Sequence, residues 1–180
     1  MKVRKLGARH RPRAEDGASL LETALTIPLL LGIAFNLINI SYFCFEVLAL
    51  SAATRLGVEY ATQGGPAIQN VSAPGTAAVK DLVYENLTNA IRGATTSNVA
   101  VRVCTTAKGV NSSTHVTLCD SFGPSFTFTG PVADPEAPAF ALDRVDVEYS
   151  VTPIIPGTAF NVILPNNLQF HRQVSMRSLF

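Results

Sequence analysis

Residues 17–45 read GASLLETALTIPLLLGIAFNLINISYFCF, and from Thr23 to Phe45 no side chain carries a charge. At 1.5 Å per residue a helix over that run spans roughly 35 Å, against about 30 Å for the hydrocarbon core of a bilayer. The run therefore predicts one transmembrane helix over 23–45. Pro28 falls about a turn inside its start, where a missing N–H is tolerated best. Asn36, Asn39 and Ser41 lie at lipid depth, and their polar groups call for partners on another helix or on the backbone. Cys44, also inside the run, is expected to pack as a small hydrophobe.

Working outward to the N-terminal side, the balance of charge changes abruptly. The whole chain of 180 residues holds 14 Lys and Arg against 13 Asp and Glu, a formal charge of +1. Residues 1–17 contain six of the basic residues (Lys2, Arg4, Lys5, Arg9, Arg11, Arg13) with Glu15 and Asp16, a net +4, which leaves −3 for the remainder. With only 15% charged and 47% hydrophobic residues, the chain is neither a disordered tail nor a strongly basic nucleic-acid binder. Clustered Lys and Arg beside a span stay in the cytoplasm, so the portion after the helix is expected outside. A cleaved secretory signal fits less well, because the apolar run exceeds an h-region of about 7–15 residues and Glu46 intervenes before the small residues at Ala49, Ser51 and Ala53.

The junction EDGASLLETALTIP, residues 15–28, resembles a class III signal peptide. There a prepilin peptidase cuts after a Gly and leaves the hydrophobic segment on the mature chain. Processing between Gly17 and Ala18 makes Glu22 the fifth mature residue. A carboxylate at the edge of a lipid-embedded helix requires a cation. The cut creates one in the α-amino group of Ala18, which is charged near neutral pH. In pilins, this resemblance implies, the Glu pairs with the terminal amine of a neighbouring subunit.

Working outward on the other side, EVLALSAATRLGVEYATQGG continues the helical period through Val47, Leu50, Leu56 and Tyr60, with no breaker before Gly64, Gly65 and Pro66. One long helix is expected over 18–62, its second half projecting from the membrane. Gly64–Gly75 reads as a loop. A second helix is expected over 75–92, with Val79, Leu82, Val83, Leu87, Ala90 and Ile91 on one face and Gly93 as its stop. From Asn98 the period becomes two: Val99, Val101 and Val103; Val116 and Leu118; Val145, Val147, Tyr149 and Val151; and a last run over Leu168–Met176. These are expected to be antiparallel strands. Phe122–Pro138, rich in Pro, Phe and Gly, reads as an extended loop. The fold class is thus α+β: a basic leader over 1–17, a long membrane and projecting helix over 18–62, and a small extracytoplasmic domain over 63–180.

Cys104 and Cys119 flank a hairpin-like stretch and fall on the same polar side of their strands. In an oxidising compartment they are expected to form a disulfide. Asp146 and Glu148 share one face of a strand by the period of two, read as solvated. No P-loop, GxGxxG, HExxH, CxxC or GxSxG pattern occurs, and His10, His115 and His171 lie in separate segments. The chain is therefore read as non-enzymatic, with no catalytic residue, metal or cofactor.

The basic arm, the element Glu22-x-Ala24-Leu25-x-x-Pro28, the element Ala52-Ala53-x-Arg55-x-Gly57 and an ending with VDVEYSVTPIIPG and VSMRS together resemble the TadE-like family. These are minor pilins or pseudopilins of the tight-adherence, Flp-type pilus. The resemblance covers the first 62 residues by motif and the rest by layout alone. It implies a single-pass inner-membrane protein with its N-terminus cytoplasmic and its domain periplasmic. Other minor and major pilins, the pilus assembly platform, the prepilin peptidase and membrane lipid are the implied partners, with no nucleic acid. The chain departs from short major pilins by its added outer domain, and from larger TadG-like relatives by that domain's modest size. The rival expectation is an uncleaved single-span protein whose outer domain binds a secretion or envelope partner.

Overall fold

The computed structural model describes residues 14–63, 72–127, 136–137, 139–151, 153–155, 157 and 168–178. The expected leader before Ala14, with His10, lies outside them, as do most of the expected loop over Gly64–Gly75 and the centre of that over Phe122–Pro138.

Helix α1 runs unbroken over Ala14–Ala61, 48 residues, with Pro28 inside it. It begins within the expected leader. Ala and Leu, among the best helix formers, dominate it, and no glycine pair interrupts it before Gly64. Helix α2 (Thr76–Ala90) buries Val79, Val83, Tyr84 and Leu87, spaced to share one side. Its end is fixed by Ile91, whose N–H bonds to the Leu87 carbonyl, and by Gly93, whose φ of +90° is open to glycine at little cost. Asn98 then ties the turn, donating to the Gly93 carbonyl and accepting from the Thr95 N–H.

Four strands follow: β1 (Val99–Val110), β2 (Thr117–Phe122), β3 (Leu142–Val151) and β4 (Leu168–Arg177). They form one antiparallel sheet in the order β2-β1-β3-β4. Val99, Val101 and Val103 of β1 and Val145, Val147, Tyr149 and Val151 of β3 point to one side and are buried. Both helices cover that side, giving two layers around a single core.

The α1 residues that meet this core are Leu50, Ala53, Thr54, Gly57, Val58 and Ala61. This differs from the expected stripe of Val47, Leu50, Leu56 and Tyr60: Leu56 points outward, and Val47 and Tyr60 are only part-buried. The reason is closeness of approach. A Cβ on Gly57 would stand 2.5 Å from Cγ2 of Val83 and 3.6 Å from both γ-methyls of Val145. Small residues therefore line the seam, and the larger ones turn away from it.

Candidate functional site: an apolar stem and its collar

The first half of α1 has an unusual surface. Leu20, Leu21, Leu25, Ile27, Leu29, Leu30, Leu31, Ile33, Leu37 and Ile38 are all exposed, Leu20 at 72% and Leu25 at 70%. At about 100° per residue they point in every direction around the axis. α1 is long and apolar enough to cross a membrane. Its polar side chains turn back on their own helix. Thr23 Oγ1 donates to the carbonyls of Ser19 and Leu20, Asn36 Nδ2 to that of Gly32 at 2.8 Å, and Ser41 Oγ to that of Leu37 at 2.8 Å. Such back-bonding reduces the cost of apolar surroundings without a second helix.

Asn39 behaves differently. It is only 2% exposed, its Nδ2 donates to the Ile155 carbonyl at 3.2 Å, and its Oδ1 accepts the Ile155 N–H at 3.0 Å. One turn on, Phe43 meets Phe170 of β4 edge to face, with centroids 6.3 Å apart. Next on the same seam is Glu46. From Asn39 upward the domain thus seats one side of α1 in a collar of contacts, while Ser41, Cys44, Phe45 and Leu48 on the opposite side stay exposed. The exposed stem below it, Ser19–Ile38, is about twenty residues or roughly 30 Å of helix.

Glu46 is 1% exposed, and neither carboxylate oxygen meets a hydrogen-bond donor in bonding geometry. Two turns beyond the stem, its carboxyl is pushed by burial up to about 7; the nearby Tyr42 phenol offsets part of that rise. The Tyr149 phenol, on β3, is in turn pushed up to about 12 by burial and by Glu46 and Tyr42. A lone Glu between Phe45 and Val47 carries no sequence signal for this burial, because Tyr149 lies about a hundred residues away.

The other expected residues are placed as follows. Gly17 and Ala18 lie in the first turns of α1, and Glu22 is exposed one turn later. Cys104 and Cys119 stand directly opposite each other on β1 and β2 and form a disulfide with Cα atoms 4.0 Å apart. Cys44 is exposed and free, on the outer side of α1. His115 is exposed in the β1–β2 turn, whereas His171 sits on β4 with Nε2 3.6 Å from Oδ1 of Asp146. Among the described residues no group of His, Cys, Asp and Glu is arranged to hold a metal ion.

The expectation that Asp146 and Glu148 are solvated is overturned. They do share the face away from the helices, but Asp146 is fully buried and Glu148 is 6% exposed. After β2 the chain turns at Gly123 (φ +82°) and lays Phe126 and Thr127 over that face. The Arg102 guanidinium stacks 4.4 Å from the Phe126 ring centre. Thr127 gives Glu148 its backbone N–H at 3.0 Å and its hydroxyl at 2.6 Å. Arg144 Nε reaches Asp146 at 3.1 Å. A polar cavity of about 210 Å³ opens beside Glu148, whose carboxylate is already taken up by Thr127. The arrangement holds the sheet's second face together.

Comparison with protein-family models, with curated proteins and with solved structures finds no match.

Proposed function

We propose that the chain is a minor pilin or pseudopilin of a tight-adherence pilus, a structural subunit without enzymatic activity. The observation that carries this reading is the division of labour in α1. Its first half presents apolar side chains on every side, and its second half is the spine of an α+β domain. In this reading Ser19–Ile38 is embedded in the inner membrane, the basic arm stays in the cytoplasm and the domain faces the periplasm. A disulfide between Cys104 and Cys119 is in keeping with an oxidising compartment. A prepilin peptidase cuts between Gly17 and Ala18, and the new amine pairs with Glu22 of a neighbouring subunit. The stem then packs beside those of other pilins.

N-terminal sequencing of membrane-extracted protein tests the reading, with a mature chain starting at Ala18 expected. Retention of Met1–Gly17 in cells that contain the peptidase points instead to an uncleaved single-span protein whose domain binds an envelope or secretion partner. Normal fibre assembly with Glu22→Ala would remove the assigned role of Glu22.

A further inference from the structure

Among the described residues, Glu46 is the one acid on the seam between α1 and the domain core, and its side chain is fully enclosed there. Its neighbours along that seam are Phe43, Leu50, Ala53 and Gly57, apolar or small groups that let the helix approach closely. Both carboxylate oxygens are enclosed without a donor. An ionised carboxylate there loses its hydration and gains in exchange only the nearby Tyr42 phenol, whereas the neutral acid loses far less.

Among the described residues no fixed cation stands against it. From α1 itself Tyr42 stands beside it, and from β3 Tyr149. Arg92, in the turn after α2, lies within electrostatic reach of Tyr42, and its side chain is on the exposed side. On β4, Arg172 pairs with Val147 across the strands and so shares the helix-facing side, at the exposed edge. Neither arginine bonds the carboxylate. Asp143, the other buried acid on that side of β3, sits at the far end of the strand, where its Oδ1 accepts the Thr106 N–H.

We propose that Glu46 is a proton-binding site that latches the anchoring helix to the domain: protonated, it leaves α1 seated in the collar, and on losing its proton to water it loosens the contact between Asn39 and Leu50. The ionised form has two phenols within reach, and turning towards them or towards Arg92 requires the collar side chains to move. Protonation thus selects between a tight and a loosened seating of the stem. This latch depends on the collar alone and holds whether or not the chain is a pilin.

The test uses the full chain in lipid nanodiscs, with ¹³C-labelled glutamate carboxyls followed by NMR through a pH titration. One glutamate is expected to titrate near neutrality and to vanish from the spectrum of Glu46→Gln. In parallel, amide hydrogen exchange over residues 40–50, corrected for intrinsic chemistry, is expected to be about tenfold faster at about pH 8.5 than at about pH 5.5. In Glu46→Gln that dependence disappears, and in Asp143→Asn it persists. Ordinary titration of every glutamate overturns the proposal, and so does collar exchange that ignores pH in the unaltered protein. Both readouts are made on the unaltered protein, so they decide the matter even where Glu46→Gln fails to fold.

Discussion

The side-chain amide of Asn39 pairs in both directions with the backbone of Ile155, so that a residue of the apolar helix supplies the peptide partner that a strand would otherwise provide. Replacing it by leucine, close in size, strands the part-buried N–H and C=O of Ile155. Asn39→Leu is expected to cost about 2 kcal/mol. Denaturant unfolding in detergent measures it. Ser41→Ala, which removes only a bond from an exposed hydroxyl to its own helix, serves as the control and is expected to change little. Equal effects of the two would show that the Ile155 pairing does not hold the collar.

Gly57 offers a second measurement. Alanine there gains up to about 1 kcal/mol of helix propensity. Its methyl, however, arrives 2.5 Å from Cγ2 of Val83, on a stiff branched side chain inside the core. Overpacking of that kind costs about 1–3 kcal/mol, so Gly57→Ala is expected to be a net loss of about 1 kcal/mol. The paired change Gly57→Ala with Val83→Ala relieves the clash, and its stability should exceed the sum of the single effects.

The disulfide closes a loop with a sequence separation of 15. In the chain-entropy model it contributes about 3 kcal/mol, and the Cys104→Ser, Cys119→Ser double variant is expected to lose that amount in denaturant unfolding. Alkylation without reductant should label Cys44, the exposed free thiol, and spare the other pair. Labelling of all three cysteines in freshly isolated protein would contradict the bridge.

The pH dependence of stability has an unusual sign. Glu46, raised by burial to about 7, and Asp143, also raised chiefly by burial, bind protons more tightly folded than unfolded. Stability from these groups is therefore largest in acid and falls as pH rises. For Glu46 the fall runs from 4.5 to about 7 and amounts to at most about 3 kcal/mol. Asp120, held down chiefly by Lys108, and Glu136, held down by Arg177, act oppositely, and their contribution is lost only as pH falls through their lowered values. Thermal midpoints are expected to peak on the acid side of neutral, and Glu46→Gln should flatten the descent above the peak.

Much of this architecture can be read from local pattern. The helix over Thr76–Ala90 announces itself through Val79, Val83 and Leu87, and β1 and β3 through alternate valines, because period and burial coincide there. The cysteine pair is legible for the same reason, since both residues follow their strands' polar side. What local pattern misses depends on distant cover. Asp146 and Glu148 occupy the polar phase of β3, and only the return of Phe126 and Thr127 after Gly123 buries them. Glu46 reads as the end of an apolar run until Tyr149 and Phe170 enclose its surroundings. On the inward side of α1 the size of a side chain is a poor guide to burial, because at a close helix crossing Ala53 and Gly57 go inside and Leu56 stays out.

The continuity of α1 has a mechanical consequence. Stem and core share one rod without a hinge residue between Ile38 and Leu50, so a pull or twist applied to the stem is carried into the sheet instead of being absorbed by a linker. Load enters first at the Asn39–Ile155 pairing and the Phe43–Phe170 contact, as shear along the helix axis. The collar is therefore the fuse of the molecule. A force that draws the stem from its surroundings is opposed by the same contacts that complete the domain's core.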